Sequence, residues 1–285
     1  MIKIDIKKEL DGAAGAMQLD VAFSIKKGEF LAIEGASGSG KTTLLRILAG
    51  LEEAEGEIRV DDRVWLNTTT SLPPQQRGIG FLFQDYALFD NMSVLNNLLF
   101  VAKDRALAER LLALTDLTLL QHRYPKTLSG GQKQRVSLCR AMMQKPTLLL
   151  LDEPLSALHS EMRASLQKEI LTLHNEFNLT TIMVSHDPSE IYKLASRVIC
   201  LENGKIIKDG ATKDILLQTN GSQKLSFRGE LLSLNRVDVI YIAIVAIGQQ
   251  LIEVVLSEGE IEGLEIGKEV RLSTKAFNPT LTPIV

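Results

Sequence analysis

The chain has 285 residues, 45% of them hydrophobic and 24% charged, which supports a sizeable core and, at roughly 150 residues per domain, one large domain beside a smaller one. This composition excludes disorder over most of the length and excludes a disulfide-stapled miniature scaffold. Lys and Arg number 32 against 35 Asp and Glu, a net charge of -3, so the basic excess typical of nucleic-acid binders is missing and no nucleic-acid partner is expected.

The first ten residues, MIKIDIKKEL, alternate apolar and charged side chains and hold no continuous apolar core of a signal peptide. Ile2, Ile4 and Ile6 share one face of a predicted strand, and Leu19, Val21, Phe23 and Ile25 share one face of a second, so an antiparallel hairpin opens the chain. From Phe30 the pattern changes to an apolar strand, FLAIE, a glycine-rich loop and a helix over TTLLRILAGL, with further short apolar runs at 148–151 and 181–184. Strands alternating with helices predict an α/β fold with a largely parallel sheet covered on both faces. Met162, Leu166, Ile170, Leu173 and Phe177 recur at helical spacing, the stripe of a helix packed on that sheet. TNGS at 219–222 marks a predicted boundary, giving domains 1–219 and 220–285. The second domain alternates strand-like runs with turn signals, as a small β-barrel would. Val239–Gly248 is too short to span a bilayer and reads as a buried strand. Cys139 and Cys200 fit neither a metal spacing nor a disulfide framework, and both read as buried thiols.

Residues 35–42, GASGSGKT, match the phosphate-loop pattern G-x-x-x-x-G-K-[ST], which chance produces in roughly one chain in a hundred of this length. A strand leads in and a helix leads out, as phosphate binding requires. Backbone N–H groups of Gly35, Ala36, Ser37, Gly38, Ser39 and Gly40 would converge on phosphate oxygens, and the helix N-terminus with Thr42 and Thr43 adds positive partial charge. Lys41 would neutralise the β and γ phosphates, and the Thr42 hydroxyl suits Mg²⁺. The run LLLLDE at 148–153 is a buried strand ending in two carboxylates. Neighbours at a strand end diverge, so Asp152 would act through the Mg²⁺ shell while Glu153 polarises or deprotonates an attacking water.

LSGGQKQR at 128–135 contains a capping box, Ser129 with Gln132 three residues on, and the paired glycines Gly130 and Gly131 let backbone amides approach an anion. A second anion-binding helix start makes sense if two chains pair head to tail, each closing the other's nucleotide. With GASGSGKT, LSGGQ, LLLLDEP, Gln84 in FLFQD and SHD at 185–187, residues 1 to about 219 resemble an ATP-binding-cassette (ABC) ATPase. That resemblance implies a cassette of N-terminal β-hairpin subdomain, RecA-like core and helical subdomain that binds ATP and Mg²⁺ and works as a homodimer. It also implies Gln84 as a lid residue contacting Mg²⁺ and His186 as a switch histidine at the γ-phosphate. The segment 87–100 resembles the helical surface that receives a transmembrane permease subunit, which would place the protein peripherally on the cytoplasmic face of the plasma membrane, with a substrate-binding protein as an indirect partner. Two departures stand out. His159 replaces the aspartate usual after SAL, which puts coupling across the dimer in doubt, and no aromatic residue falls within 12–16, which implies weak base discrimination.

A cassette followed by a small β domain is similar to bacterial importer ATPases, and residues 263–277 resemble the molybdate-binding version of an oligonucleotide-fold-like module. Molybdate or tungstate is therefore the first expected cargo, with sulfate, ferric iron, polyamines and sugars as alternatives. Ser257 and Lys275 would be oxyanion contacts or, more simply, surface polar residues. Readings from other classes are an oxyanion sensor that does not hydrolyse ATP and a soluble mechanical ATPase. A P-loop kinase or GTPase leaves LSGGQ unexplained.

Overall fold

Ile2, Ile4 and Ile6 are buried while Lys3, Asp5 and Lys7 are exposed, so the alternation of the first residues is spent on one face of β1 (Ile2–Gly12), which pairs antiparallel with β2 (Gly15–Ile25). The computed structural model describes residues 1–12, 15–83, 85–156, 158–217, 224–238, 240–248 and 250–275. It divides into two units, Met1–Leu217 and Gln218–Val285.

In the first unit the chain continues through β3 (Phe30–Glu34), α1 (Lys41–Ala49), β4 (Glu55–Val60), β5 (Arg63–Leu66) and β6 (Ile79–Leu82). The helices α2 (Val94–Val101), α3 (Arg105–Leu114) and α4 (Gly130–Met142) follow. Then come β7 (Leu148–Asp152), α5 (Ser160–Glu176), β8 (Thr180–Val184), α6 (Pro188–Leu194), β9 (Arg197–Glu202), β10 (Lys205–Ala211) and the short α7 (Thr212–Leu216). The sheet has ten strands in the order β5-β4-β1-β2-β10-β9-β3-β8-β7-β6. Strands β9, β3, β8, β7 and β6 run parallel, and the remaining pairings are antiparallel except for the Lys205–Asp20 link between β10 and β2. The expected largely parallel sheet is thus a mixed one, because the opening hairpin joins its edge through that link instead of standing apart.

The parallel strands are covered on both faces, and their side chains divide by period two. Phe30, Ala32, Leu149, Leu151 and Met183 enter a core with Leu98, Leu111, Val136 and Leu166 from α2 to α5. Leu31, Ile33, Leu148, Leu150, Ile182 and Val184 enter another with Leu44, Leu45 and Leu48 of α1 and the apolar side of the hairpin. Leu166, Ile170 and Leu173 of α5 are buried, with Met162 and Phe177 packed at the margin. Cys139 is buried in the helical core, whereas Cys200, also expected inside, is only half-buried. It sits on β9 with its Sγ 3.6 Å from a Glu34 carboxylate oxygen.

The second unit is a four-stranded antiparallel sheet, β13-β12-β11-β14, formed by β11 (Lys224–Val237), β12 (Ile240–Ile247), β13 (Gln250–Leu256) and β14 (Glu269–Lys275). Among the described residues β13 and β14 are not paired with each other, so the four strands described form an open sheet and do not by themselves complete the expected barrel. The run 239–248 was expected to be a buried strand, and β12 does form, but only Ala243 and Val245 are buried while Ile240 is 37% exposed. A single small sheet has one inner face, so half of a continuous apolar run must point outward. The Ser257 hydroxyl donates to Glu260 Oε2 at 2.7 Å, a local turn contact and not a free anion ligand. No helix among the described residues is long and apolar enough to cross a membrane.

Candidate nucleotide site

Helix α1 begins after Gly40, whose backbone is left-handed (φ 97°), and no side chain caps its first turn. The N-terminal N–H groups therefore lack an internal acceptor, and no acidic residue occupies the first turn to repel an anion. A Cβ on Gly40 would lie 3.2 Å from a Leu19 methyl, in addition to the strain of its positive φ. At Gly35 a Cβ would meet the Leu201 carbonyl oxygen at 2.1 Å, so the loop start is pressed against the end of β9 and admits only glycine. Ala36, Ser37 and Gly38 are exposed, Ser39 is buried, and Thr42 is exposed with Thr43 half-buried behind it.

Lys41 is buried, and its Nζ donates to the carbonyls of Gly35 (2.8 Å) and Ala36 (2.7 Å) and reaches the Ser39 hydroxyl at 3.5 Å. Burial holds its ammonium below the ordinary lysine range, against the opposing pull of Glu153 and Asp152. The loop thus encloses a cation whose present partners are neutral carbonyls, an arrangement suited to an incoming phosphate.

Asp152 ends β7 in the buried core, and its Oδ1 accepts a hydrogen bond from Thr42 Oγ1 at 3.1 Å. Burial raises its pKa above the usual carboxylate range, countered in part by the Thr42 bond. Glu153 follows with a left-handed backbone (φ 45°), uncommon for a residue with a side chain and of the kind that collects at functional sites. The turn sends the second carboxylate away from the first: Glu153 Oε1 lies 3.5 Å from His186 Nδ1. Asp152 and Glu153 thus take different partners. Hydroxyl plus buried carboxylate is a hard-oxygen pair, so the residues fit a hard cation that completes its shell with phosphate oxygens and water, as Mg²⁺ does.

The capping box at α4 is present: Ser129 Oγ accepts from the Gln132 N–H, and the Gln132 side chain accepts from the Ser129 N–H. Ser129 and Gly130 are exposed, Gly131 is buried and Gln132 half-buried. The glycines also serve packing, since a Cβ would meet the Tyr86 hydroxyl at 3.1 Å at Gly130 and the Met162 sulfur at 3.0 Å at Gly131. Among the described residues no hydrogen bond joins Ser129–Gln132 to the loop at 35–43. Gln84 lies outside the described residues. His159 is exposed and precedes α5 without a side-chain cap.

Sequence reasoning missed the groups that buttress these side chains. Gln134 is buried in α4 and donates to the Pro154 carbonyl, joining the LSGGQ helix to the turn after Glu153. Ser185 donates to Glu190 Oε2 at 2.7 Å, and burial raises the pKa of that carboxyl. Arg163 reaches Asp187 and the Leu158 carbonyl. None carries a local motif; the partners lie 5 to 24 positions apart.

A glycine-rich turn on an uncapped helix, beside a strand ending in a carboxylate bonded to the helix's Thr42, defines a P-loop nucleotide-binding protein. The ABC transporter family profile matches residues 19–156. A sulfate/thiosulfate import ATP-binding protein of Nocardia farcinica is 40% identical over 224 residues, 76% of this chain and 67% of the relative. The chain belongs to the family of ABC transporter ATP-binding proteins. Another relative, a sulfate/thiosulfate import ATP-binding protein of Agrobacterium fabrum, is 41% identical over 223 residues, 74% of this chain and 64% of that protein. The chain thus spans about two thirds or less of the curated relatives it matches first. Among solved structures, a dimeric ATP-binding cassette in a post-hydrolysis state bound to ADP and Pi is 29% identical with a TM-score of 0.64, over 74% of this chain and 99% of that one.

Proposed function

We propose that this chain is the ATP-hydrolysing subunit of an importer, with residues 1–219 as the nucleotide-binding domain and 220–285 as an accessory domain. The observation that carries the reading is the divergence of Asp152 and Glu153 at the end of β7, one carboxylate on the phosphate-loop threonine and the other on His186. Lys41 and the α1 N–H groups grip the β and γ phosphates. Thr42 and Asp152, with Gln84, would hold Mg²⁺, which when bound neutralises developing phosphate charge. Glu153 accepts a proton from the attacking water, and His186 hydrogen-bonds the γ-phosphate while staying within reach of Glu153. The exposed start of α4, Ser129 to Gln132, closes on the nucleotide of a second copy; the dimeric state of the related solved cassettes supports this.

A permease partner at the segment 87–100 is supported by a cavity of about 280 Å³ that borders that segment and contains none of its residues; Leu51, Phe81, Phe83, Val101, Arg140 and Gln144 help line it, and Arg140 donates to the Ala87 carbonyl. It lies between the sheet edge and the helical region, and Leu51 there is 43% exposed. A short helix of a membrane subunit would fill it, leaving this protein peripheral on the cytoplasmic face, with a substrate-binding protein as an indirect partner.

For the cargo, the names of the relatives support sulfate or thiosulfate, the alternative to the molybdate first expected. Molybdate or tungstate is the second reading. It rests on the segment 263–275, where Gly263 and Gly267 turn with positive φ into β14. Uptake of labelled sulfate and molybdate by cells lacking and then regaining the gene separates the two.

The decisive test of the reading is Glu153→Gln. The variant should bind Mg-ATP, hydrolyse it at least about 100-fold more slowly and accumulate as a dimer on light scattering. Wild-type turnover, or a monomer at saturating ATP, would remove the assignment.

A further inference from the structure

The strand end carrying Glu153 and the loop carrying His186 are separate segments, and their side chains approach to 3.5 Å. Glu153 N donates to the Val184 carbonyl at 3.1 Å, which registers the backbones, but the 185–187 loop and the 154–159 segment need a further tie. Arg163, on the first turn of α5, supplies it. Its Nη1 donates to Asp187 Oδ2 at 3.0 Å and its Nη2 to the Leu158 carbonyl at 3.4 Å. Its Nε is buried without a hydrogen-bond partner among the described residues and lies 3.5 Å from Glu190 Oε1. Asp187 also accepts from Ser189 N and Glu190 N through Oδ1, so the guanidinium grips the residue that both follows His186 and starts α6. Glu153, Ser156, Arg163, Ser185, His186, Asp187 and Glu190 enclose a cavity of about 50 Å³, room for an ordered water.

We propose that Arg163 is a positioning residue that sets the distance between Glu153 and His186 by clamping the segment after Glu153 to the loop that carries His186. The inference rests on the reading that these two side chains act at the γ-phosphate and its water. Among the described residues Arg163 itself makes no hydrogen bond or ion pair with the phosphate loop. A planar fork suits the task because two of its nitrogens address acceptors on two different segments at once.

The test compares Arg163→Ala, Arg163→Lys and Asp187→Asn by steady-state ATP hydrolysis, each alone and the first also combined with His186→Ala. Arg163→Ala should lower kcat about 10- to 100-fold and leave KM for ATP within about two-fold, the pattern of misplaced reacting groups and not of lost ground-state binding. Lysine spans only one of the two acceptors and should restore part of kcat. Asp187→Asn keeps the cap acceptor Oδ1, loses the charge, and should lower kcat in the same sense; it also carries the test should the alanine variant fail to fold. In the His186→Ala background, Arg163→Ala should add less than about a two-fold loss, because both act through one group. Unchanged kcat in folded Arg163→Ala or Asp187→Asn, a proportionate rise in KM, or additivity with His186→Ala would overturn the proposal. If Glu153→Gln or His186→Ala turns over like the wild type, the functional reading fails instead.

Discussion

Lys41→Ala removes a buried ammonium from a loop that otherwise supplies only backbone dipoles. In the free protein its two short contacts, to the carbonyls of Gly35 and Ala36 at 2.8 and 2.7 Å, are charge-assisted but lie under an exposed loop that water can rehydrate. Their loss should cost no more than about 1–2 kcal/mol of stability, a fall of a few degrees in Tm. The same ammonium, turned to phosphate oxygens, forms contacts worth about 1.5–3 kcal/mol each. Two such contacts amount to about 3–6 kcal/mol, or roughly a 10²- to 10⁴-fold loss of ATP affinity. Isothermal titration with Mg-ATP measures the affinity, and thermal unfolding measures the stability. Arginine keeps the charge, but its fork is too bulky for a slot that a lysine fills to 7% exposure, so Lys41→Arg should also bind poorly. An alanine variant with native Tm and ATP affinity within three-fold of wild type would mean that Lys41 serves only the loop, and the phosphate assignment would fall.

Thr42→Ala deletes the hydroxyl that donates to Asp152 at 3.1 Å; ATP affinity should drop with Mg²⁺ present and match the wild type in EDTA, and equal losses in both conditions would argue against a role at the metal. Arg135→Leu strips the partner, 3.0 Å away, from Glu169, whose carboxylate is 7% exposed, and should cost about 3–5 kcal/mol at pH 7. Burial already raises the Glu169 pKa against the pull of Arg135, so in the variant the group protonates more readily as pH falls, and the Tm deficit should shrink from pH 7 toward pH 5; a deficit independent of pH would exclude the unpaired charge as its cause. Burial pushes the Cys139 thiol up to about 12 and, with Glu34, the Cys200 thiol up to about 11. Both groups favour the folded state below the ordinary thiol range near 9, and that contribution is lost as pH rises from there toward the folded values. Iodoacetamide at pH 8 should label Cys200 slowly and Cys139 only in denaturant, as mass spectrometry would report, and rapid native labelling of Cys139 would contradict its burial.

Local chemistry made much of this molecule readable in one dimension. Glycines at 35, 38 and 40 before a lysine and a threonine spell a loop that brings backbone N–H groups to a point: a side chain at 35 would collide with the Leu201 carbonyl, and the backbone at 38 and 40 has the positive φ that favours glycine. The Ser129–Gln132 box is likewise a contact between residues three apart, and FLAIE from Phe30 with the short apolar runs at 148–151 and 181–184 announces strands with both faces covered. The outward half of the 240–247 run was not legible, because a string of Ile and Val says that a strand forms but not how many sheets exist to cover it. Nor were Arg163, Gln134 and Glu190, whose work is defined by partners on other elements. Spacing along the chain determined which groups can meet a phosphate, since those groups lie within one loop and one turn of helix. Whether two carboxylates side by side in sequence would share a task or divide it was decided by the fold: the left-handed turn at Glu153 and the packing of β8 beside β7 send one to Thr42 and the other to His186.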